Sequence, residues 1–471
     1  MADKPGVKLG GSSDSAGRSA IIREDAVARR VERRSAIQNV TSNGTVAAAT
    51  MVIAALLAVI VANTPAYEPV HHFFETRVGV VGGPFVATLT LEQVVNDLLM
   101  AVFFLLVGIE LKYEMTVGQL RRPRQAALPM LAAVGGVIGP SLIYLLLNAG
   151  VAGMPVGAPH GWAVPMATDI AFALGIMSLL GGCVSSATKV FFSTLAIADD
   201  ILAIVVIAVF YGQAPSVPWV AASLACVVVL AALQGLRVYS ARPYLAVGVV
   251  LWVCMFNSGI HATLAGVVLA MFLPARSDIR LGSLRVWLGE RARQLDDAYD
   301  AEVHVLGQHD FTVAAEGVER VMHHVTPPLQ RVEHAISVAV NFGILPLFAF
   351  VNAQVSLAGA DVGAIVADPV TRGVFLGAFL GKPLGIIGMT WLLVRVGFAR
   401  LPRGVDWVQV VGMGLLGGLG FTMSILIAGL AFAAPAEVLA AKCAILACSV
   451  ASAVAGSAFL LVATRGRRAA R

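Results

Sequence analysis

A succession of apolar runs, each about as long as a bilayer-crossing helix, limits this chain before any single residue does. A span needs about 20 mostly apolar residues. About twelve candidates fall near 46–63, 92–112, 126–148, 162–181, 189–212, 217–236, 242–258, 260–274, 334–353, 371–396, 405–432 and 436–464. The chain is 58% hydrophobic and 13% charged, where a soluble domain carries roughly a quarter charged residues. It has too little polar surface to cover itself in water, so lipid must cover part of it. The expected fold class is an all-α membrane protein.

Five sections follow from the same reading: a disordered cytoplasmic tail over 1–44, spans one to eight over 45–274, a cytoplasmic insertion over 275–333, spans nine to twelve over 334–464, and a basic cytoplasmic tail over 465–471. The polar start is too long for a signal peptide. Arg121, Arg122, Arg124, Lys189, Arg237, Arg242, Arg395, Arg400 and Arg403 all fall in alternate loops, and Arg465, Arg467, Arg468 and Arg471 in the tail. The positive-inside rule then places both termini in the cytoplasm of a multi-pass cell-membrane protein. The net charge of +5 would point to nucleic acid in a soluble protein; here it is a topology signal, and no nucleic-acid partner is expected. Cys183, Cys226, Cys254, Cys443 and Cys448 lie in apolar runs without zinc-site spacing, so they are read as packing residues and no cofactor is expected. The insertion carries His304, His309, His323 and His324 and an amphipathic stretch over 284–295. These histidines can sense pH or bind a metal, or simply lie on a solvated surface.

Charge inside an apolar run costs roughly 2.5–3.5 kcal/mol per residue at the bilayer centre. Asp97 and Glu110 fall in the second run, Asp169 in the fourth, Asp199 and Asp200 in the fifth, and Lys382 in the tenth. One lysine and one aspartate would make a structural ion pair. Three carboxylates against one lysine leave an acidic excess that water, protons or a cation must neutralise. Neighbours on a helix point about 100° apart, so one of Asp199 and Asp200 can face Lys382 while the other faces an aqueous funnel. Carboxylate oxygens suit a hard cation such as sodium or lithium, and protons compete for the same oxygens. The fourth run is interrupted around Pro165–Asp169 and the eleventh around Gly417–Thr422. Interrupted spans at corresponding positions of two halves mark binding sites in secondary transporters. Their facing ends carry partial charges that Asp169 and Lys382 are typed to compensate.

Seven stretches carry a resemblance: 97–110 (DLLMAVFFLLVGIE), 167–175 (ATDIAFALG), 195–200 (LAIADD), 261–266 (HATLAG), 345–350 (LPLFAF), 380–385 (LGKPLG) and 420–424 (GFTMS). In type and order the sequence resembles the NhaA-type sodium–proton antiporters, from about residue 45 to the carboxyl end without the 275–325 insertion. That family is among the cases behind the broken-span rule, so the rule adds no independent support. The resemblance implies inverted repeats with two broken helices crossing mid-membrane. It implies that Asp200 is the principal sodium- and proton-binding carboxylate and that Asp199 is its partner, paired with Lys382 when sodium is absent. Asp169 and Thr168 are then the broken-helix residues near the site, and Asp97 a further acidic residue. It implies electrogenic exchange of two protons inward for one sodium outward, activated at alkaline pH through Glu110, Lys112, Glu114, Glu333 and His334, with His261 also linked to pH. Glu333 and His334 also read as an ordinary solvated helix end, and His261 as a packed histidine. Tyr113 and Ser337 depart from the family's regulatory pattern, which has an arginine and a second histidine there. A homodimer through an extramembrane hairpin is a family habit, for which residues 64–91 supply the chain.

The expected function is transport rather than catalysis: a sodium (lithium)/proton antiporter. Three alternatives stand beside it. A sodium-coupled symporter would need a further substrate pocket. An intramembrane aspartyl protease would need two aspartates sharing a proton, which Asp169 and Asp200 imitate without the usual Gly-x-Gly-Asp setting. A structural scaffold would leave the buried acid unexplained.

Overall fold

The computed structural model describes residues 44–82, 85–121, 123–150, 157–212, 215–277, 279, 281–300, 303–356 and 361–469. The expected tail over 1–44 therefore lies almost wholly outside the described residues.

Ten helices among them are long and apolar enough to cross a bilayer: Gly44–Ala62, Leu91–Thr116, Ala126–Asn148, Pro159–Leu179, Ser186–Phe210, Val217–Gly235, Ala241–Ser258, Pro328–Asn352, Pro369–Arg395 and Pro435–Thr464. Trp407–Gly417 and Phe421–Ala431, bent by 43° at their break, pass the same test only together and make eleven if counted as one broken span. The remaining expected span, over 260–274, contains a helix of only nine residues, Leu264–Phe272. That is about 14 Å at 1.5 Å per residue, well short of a hydrocarbon core of about 30 Å. Gly259, in the left-handed conformation at φ 83°, ends the preceding helix, and His261–Thr263 form hydrogen-bonded turns before the short helix starts.

Large apolar side chains stay exposed at i, i+4 spacing on several spans, as at Leu56 and Ile60, Leu224 and Val228, and Val450 and Val454. Such rows face outward because lipid, not water, is their solvent. One departure from an all-helical chain lies in the 64–91 segment. There β1 (Arg77–Gly82) pairs antiparallel with β2 (Phe85–Thr90). Thr90 and Gln93 then cap the second span reciprocally, through bonds of 3.1 and 3.0 Å, which fixes where strand gives way to helix.

The third and tenth spans cross with their backbones in contact. A Cβ on Gly135 would collide with the Gly385 carbonyl, and one on Gly139 with that of Gly381. Small residues permit this approach. The order of contacts, 135 with 385 and 139 with 381, makes the two spans antiparallel, as an inverted repeat requires. A π-helical turn, Gly377–Gly381, directly precedes Lys382; such turns re-aim the side chains around them.

The 275–333 insertion holds two further helices, Leu281–Ala298 and His309–Val325. The next helix begins at Pro328 after Pro327 at the cap, ahead of the apolar run that starts near 334.

Candidate functional site

The fourth span enters as a 3-10 helix, Pro159–Met166, passes through an extended Ala167–Asp169, and resumes as the α-helix Ile170–Leu179. The eleventh span breaks between Gly417 and Phe421. The two breaks meet: Asp169 N donates to the Leu419 carbonyl at 2.6 Å, and the Thr168 hydroxyl to that of Gly417 at 3.1 Å.

Four charged side chains surround this crossing, each almost wholly buried. Asp169 caps the resumed helix by accepting from Phe172 N at 3.1 Å. Its second oxygen accepts from the Thr422 hydroxyl at 2.7 Å and from Thr422 N at 3.3 Å. One carboxylate therefore faces the amino ends of both half-helices, where the partial charge is positive. Lys382 does the converse. It donates to the Met166 carbonyl at the end of the 3-10 segment and pairs with Asp199 Oδ2 at 2.5 Å.

Asp199 and Asp200 sit near the middle of the helix Ser186–Phe210. Asp199 Oδ1 and Asp200 Oδ1 are both buried without a hydrogen-bond partner. Unpaired buried oxygens are costly, and two on consecutive residues, beside the Thr168 break, make an oxygen-lined place for a proton or a small hard cation. No group of three or more His, Cys, Asp or Glu side chains among the described residues is arranged to hold a metal. A bound sodium would therefore complete its shell from hydroxyl, backbone or water oxygens. Asp169 has both oxygens engaged by donors, so it does not form a shared-proton dyad with Asp200, as an aspartyl protease needs.

The family model described as Na+/H+ antiporter 1 matches residues 38–460. The chain belongs to this family. It is 42% identical over 417 residues to the Na(+)/H(+) antiporter NhaA of Oleidesulfovibrio alaskensis, covering 88% of this chain and 91% of that protein. With the protein of the same name from Rhodospirillum rubrum it shares 44% over 385 residues, 81% and 84% of the two chains. With that of Helicobacter pylori G27 it shares 40% over 410 residues, 87% and 91%.

In this antiporter-family chain the residues expected to answer pH are spread over several elements. Glu110 on the second span lies within electrostatic reach of Glu114 on the same span and of Glu333 on the Pro328–Ala339 helix. His334 is exposed beside them, Tyr113 is exposed, and Ser337 is half-buried. Lys112 points elsewhere: its ammonium donates to the Met271 and Leu273 carbonyls at 2.6 and 2.5 Å. It thus closes the carboxyl end of the short helix Leu264–Phe272, where carbonyls lack intrahelical partners. His261 Nε2 is 2.8 Å from the Tyr211 carbonyl, at the end of the helix that carries Asp199 and Asp200. Asp97 is half-buried in a π-helical turn, Val94–Leu99, and its carbonyl accepts from Trp252 Nε1 at 3.3 Å.

Two contributors were absent from the expected site. Thr422 was visible in the GFTMS motif, but nothing in its type marks it as the donor to Asp169. The Met166 carbonyl carries no sequence signal at all, because only the break of the fourth span exposes it.

Proposed function

We propose that the chain is an electrogenic sodium/proton antiporter that also accepts lithium, and that Asp199 and Asp200 hold the ion. The observation that carries this is the pair of unpartnered buried oxygens on consecutive aspartates, one residue of which is tied to a buried lysine. Sodium entering between the carboxylates competes with Lys382 for Asp199 and with protons for Asp200. One proton leaves Asp200 and a second leaves the Lys382–Asp199 pair, so two protons enter for each sodium exported. The crossing of the fourth and eleventh spans, with Asp169 and Thr168 at its centre, gives alternating access to this point, and Asp97 is an accessory acid along the second span.

In the same reading both termini face the cytoplasm of the cell membrane, with the hairpin β1–β2 outside as the contact surface of a homodimer. Glu110, Glu114, Glu333, His334 and His261 set the response to pH, and Lys112 supports it by holding the short helix in place.

The test uses the full chain in proteoliposomes with an imposed pH gradient and an internal pH dye. Sodium addition collapses the gradient with the wild type, and Asp200→Asn abolishes the response. Wild-type vesicles without sodium-dependent proton flux anywhere between about pH 6.5 and 9 would sink the reading.

A further inference from the structure

The two helices of the insertion leave more surface open than a helix pair supports well. Leu281–Ala298 and His309–Val325 pack together as a hairpin, yet none of their described side chains is buried. Two helices alone rarely bury enough apolar surface to hold their shape. A groove of about 480 Å³ lies between them, floored by Ala298, Val313, Ala314 and Gly317. Val313 is 54% exposed, and a Cβ on Gly317 would meet no atom within 4 Å. A third element has room to pack there.

The charge around the groove restricts what that element can carry. Asp310 and Glu316 edge it together with Arg291 and Arg320. Residues 281–325 hold eight carboxylates against four arginines. Glu290, Asp296, Asp297, Asp310, Glu316 and Glu319 are exposed, and none forms an ion pair with another described residue. The hairpin is an acidic surface around a small apolar floor, which suits a basic amphipathic helix.

The chain before Gly44 has that composition. Residues 18–34 hold six arginines and three carboxylates. At about 100° per residue, Ala20, Ile21, Val27, Ala28 and Val31 would share a helix face about 120° wide. Arg23, Arg29, Arg30, Arg33 and Arg34 would fall on the opposite side. Glu24 is the one charge on the apolar face, where Arg291 or Arg320 can receive it.

The two regions also open on the same side of the membrane helices. Asn63, just past the first span, donates to the Val355 carbonyl, just past the ninth, at 2.9 Å. The starts of those spans, Gly44 and Pro328, therefore lie together at the other side, and the insertion ends at Pro328. Gly44 to Asn63 rises about 28 Å and Pro328 to Val355 about 40 Å, so the two starts differ in depth by about 12 Å. Val313 stands at most about 18 Å further along its helix. Ten extended residues span about 33 Å, enough for 34–43 to deliver the arginines there.

We propose that residues 20–34 dock as a helix in this groove and close the insertion into a three-helix bundle. Charged segments of this kind fold on docking, and opposite charge steers them to their surface. The docking does not depend on which carboxylates exchange the ion.

The test takes two measurements on the full-length protein in detergent. Val27→Cys/Val313→Cys is treated with a short bismaleimide. Val27→Cys/Asp296→Cys is the reference, because Asp296 faces away from the groove residues Gln294 and Ala298. Mixing isotopically heavy and light protein before mass spectrometry separates links within a chain from links between chains. Hydrogen exchange over 281–325 is compared between the wild type and R29E/R30E/R33E/R34E, which leaves every membrane helix untouched.

A link from position 27 to 313 within one chain, absent from the reference pair, supports the docking when exchange over 309–325 also quickens about tenfold in the charge-reversed variant. Links only between chains would mean that a second copy fills the groove, and would overturn it. So would the absence of any link, equal linking of both pairs, or exchange that the charge reversal leaves unchanged.

Discussion

Two lysines in this chain cap the carboxyl end of a short helical piece, and of the two only Lys382 also pairs with a carboxylate. Lys382 closes the eight-residue segment Pro159–Met166, and Lys112 the nine-residue helix Leu264–Phe272. Both supply donors to carbonyls that a helix end leaves orphaned. Lys382 also carries a carboxylate at 2.5 Å and is fully buried, whereas Lys112 is half-buried and bonds carbonyls alone. A charge held by carbonyls has nothing to trade. A charge shared with a carboxylate can be displaced by any cation that the carboxylate also binds. Capping positions both lysines, and the aspartate partner makes one of them exchangeable.

The comparison breaks most visibly at Lys382. Lys382→Met removes a buried cation, leaving Asp199 with two unpaired oxygens and Met166 with an unsatisfied carbonyl. Truncating one partner of a buried pair costs about 3–5 kcal/mol, so thermal unfolding in detergent should fall sharply. Restoring the balance with Lys382→Met/Asp199→Asn should recover much of that stability, while sodium-dependent flux stays lost. A double variant no more stable than the single one would mean that the lysine acts through its carbonyl contact and not its carboxylate.

The depth of the charges explains how much of this was legible in advance. Asp169, Asp199, Asp200 and Lys382 stood out because they are charges inside apolar runs, and the structure gathers Asp169, Asp199 and Lys382 around the crossing with Asp200 next to them. The interruptions were also readable, since Pro165 and the glycines at 417, 418 and 420 cannot continue a regular span at low cost. The length of the eighth run was not. Ile260 to Pro274 is apolar enough to resemble a span, but the turns over 261–263 shorten its helix, and hydropathy does not register turns. The partners of Lys112 were hidden for a related reason. This lysine follows Glu110 in a motif, and spacing says nothing about the carbonyls of a helix some 160 residues away.

Thr422 tests the crossing at the next level. Thr422→Val keeps shape but removes the hydroxyl that donates to Asp169 Oδ2, while the backbone donor remains. Weakening one bond to a buried carboxylate should cost about 1–3 kcal/mol, less than the loss at Lys382. Thr422→Ser retains the hydroxyl and should keep the wild-type melting temperature and sodium KM. If valine and serine behave alike, the bond between the two breaks contributes nothing to the site.

The smallest effects should come from Lys112, and they sharpen the distinction between capping and exchange. Lys112→Met leaves two carbonyls unsatisfied at the edge of the membrane region, where water can partly replace the ammonium. The expected cost is about 0.5–2 kcal/mol, the range for a lost cap, and Lys112→Arg should recover most of it. On the exchange proposed at Asp199 and Asp200, raising the pH removes the competing proton and the apparent sodium KM falls. The slope approaches tenfold per pH unit for each proton displaced. A lysine that only caps a helix should leave that slope alone while moving the melting temperature. If Lys112→Met instead flattens KM against pH, this lysine takes part in the proton competition, and the two lysines differ in degree rather than in kind.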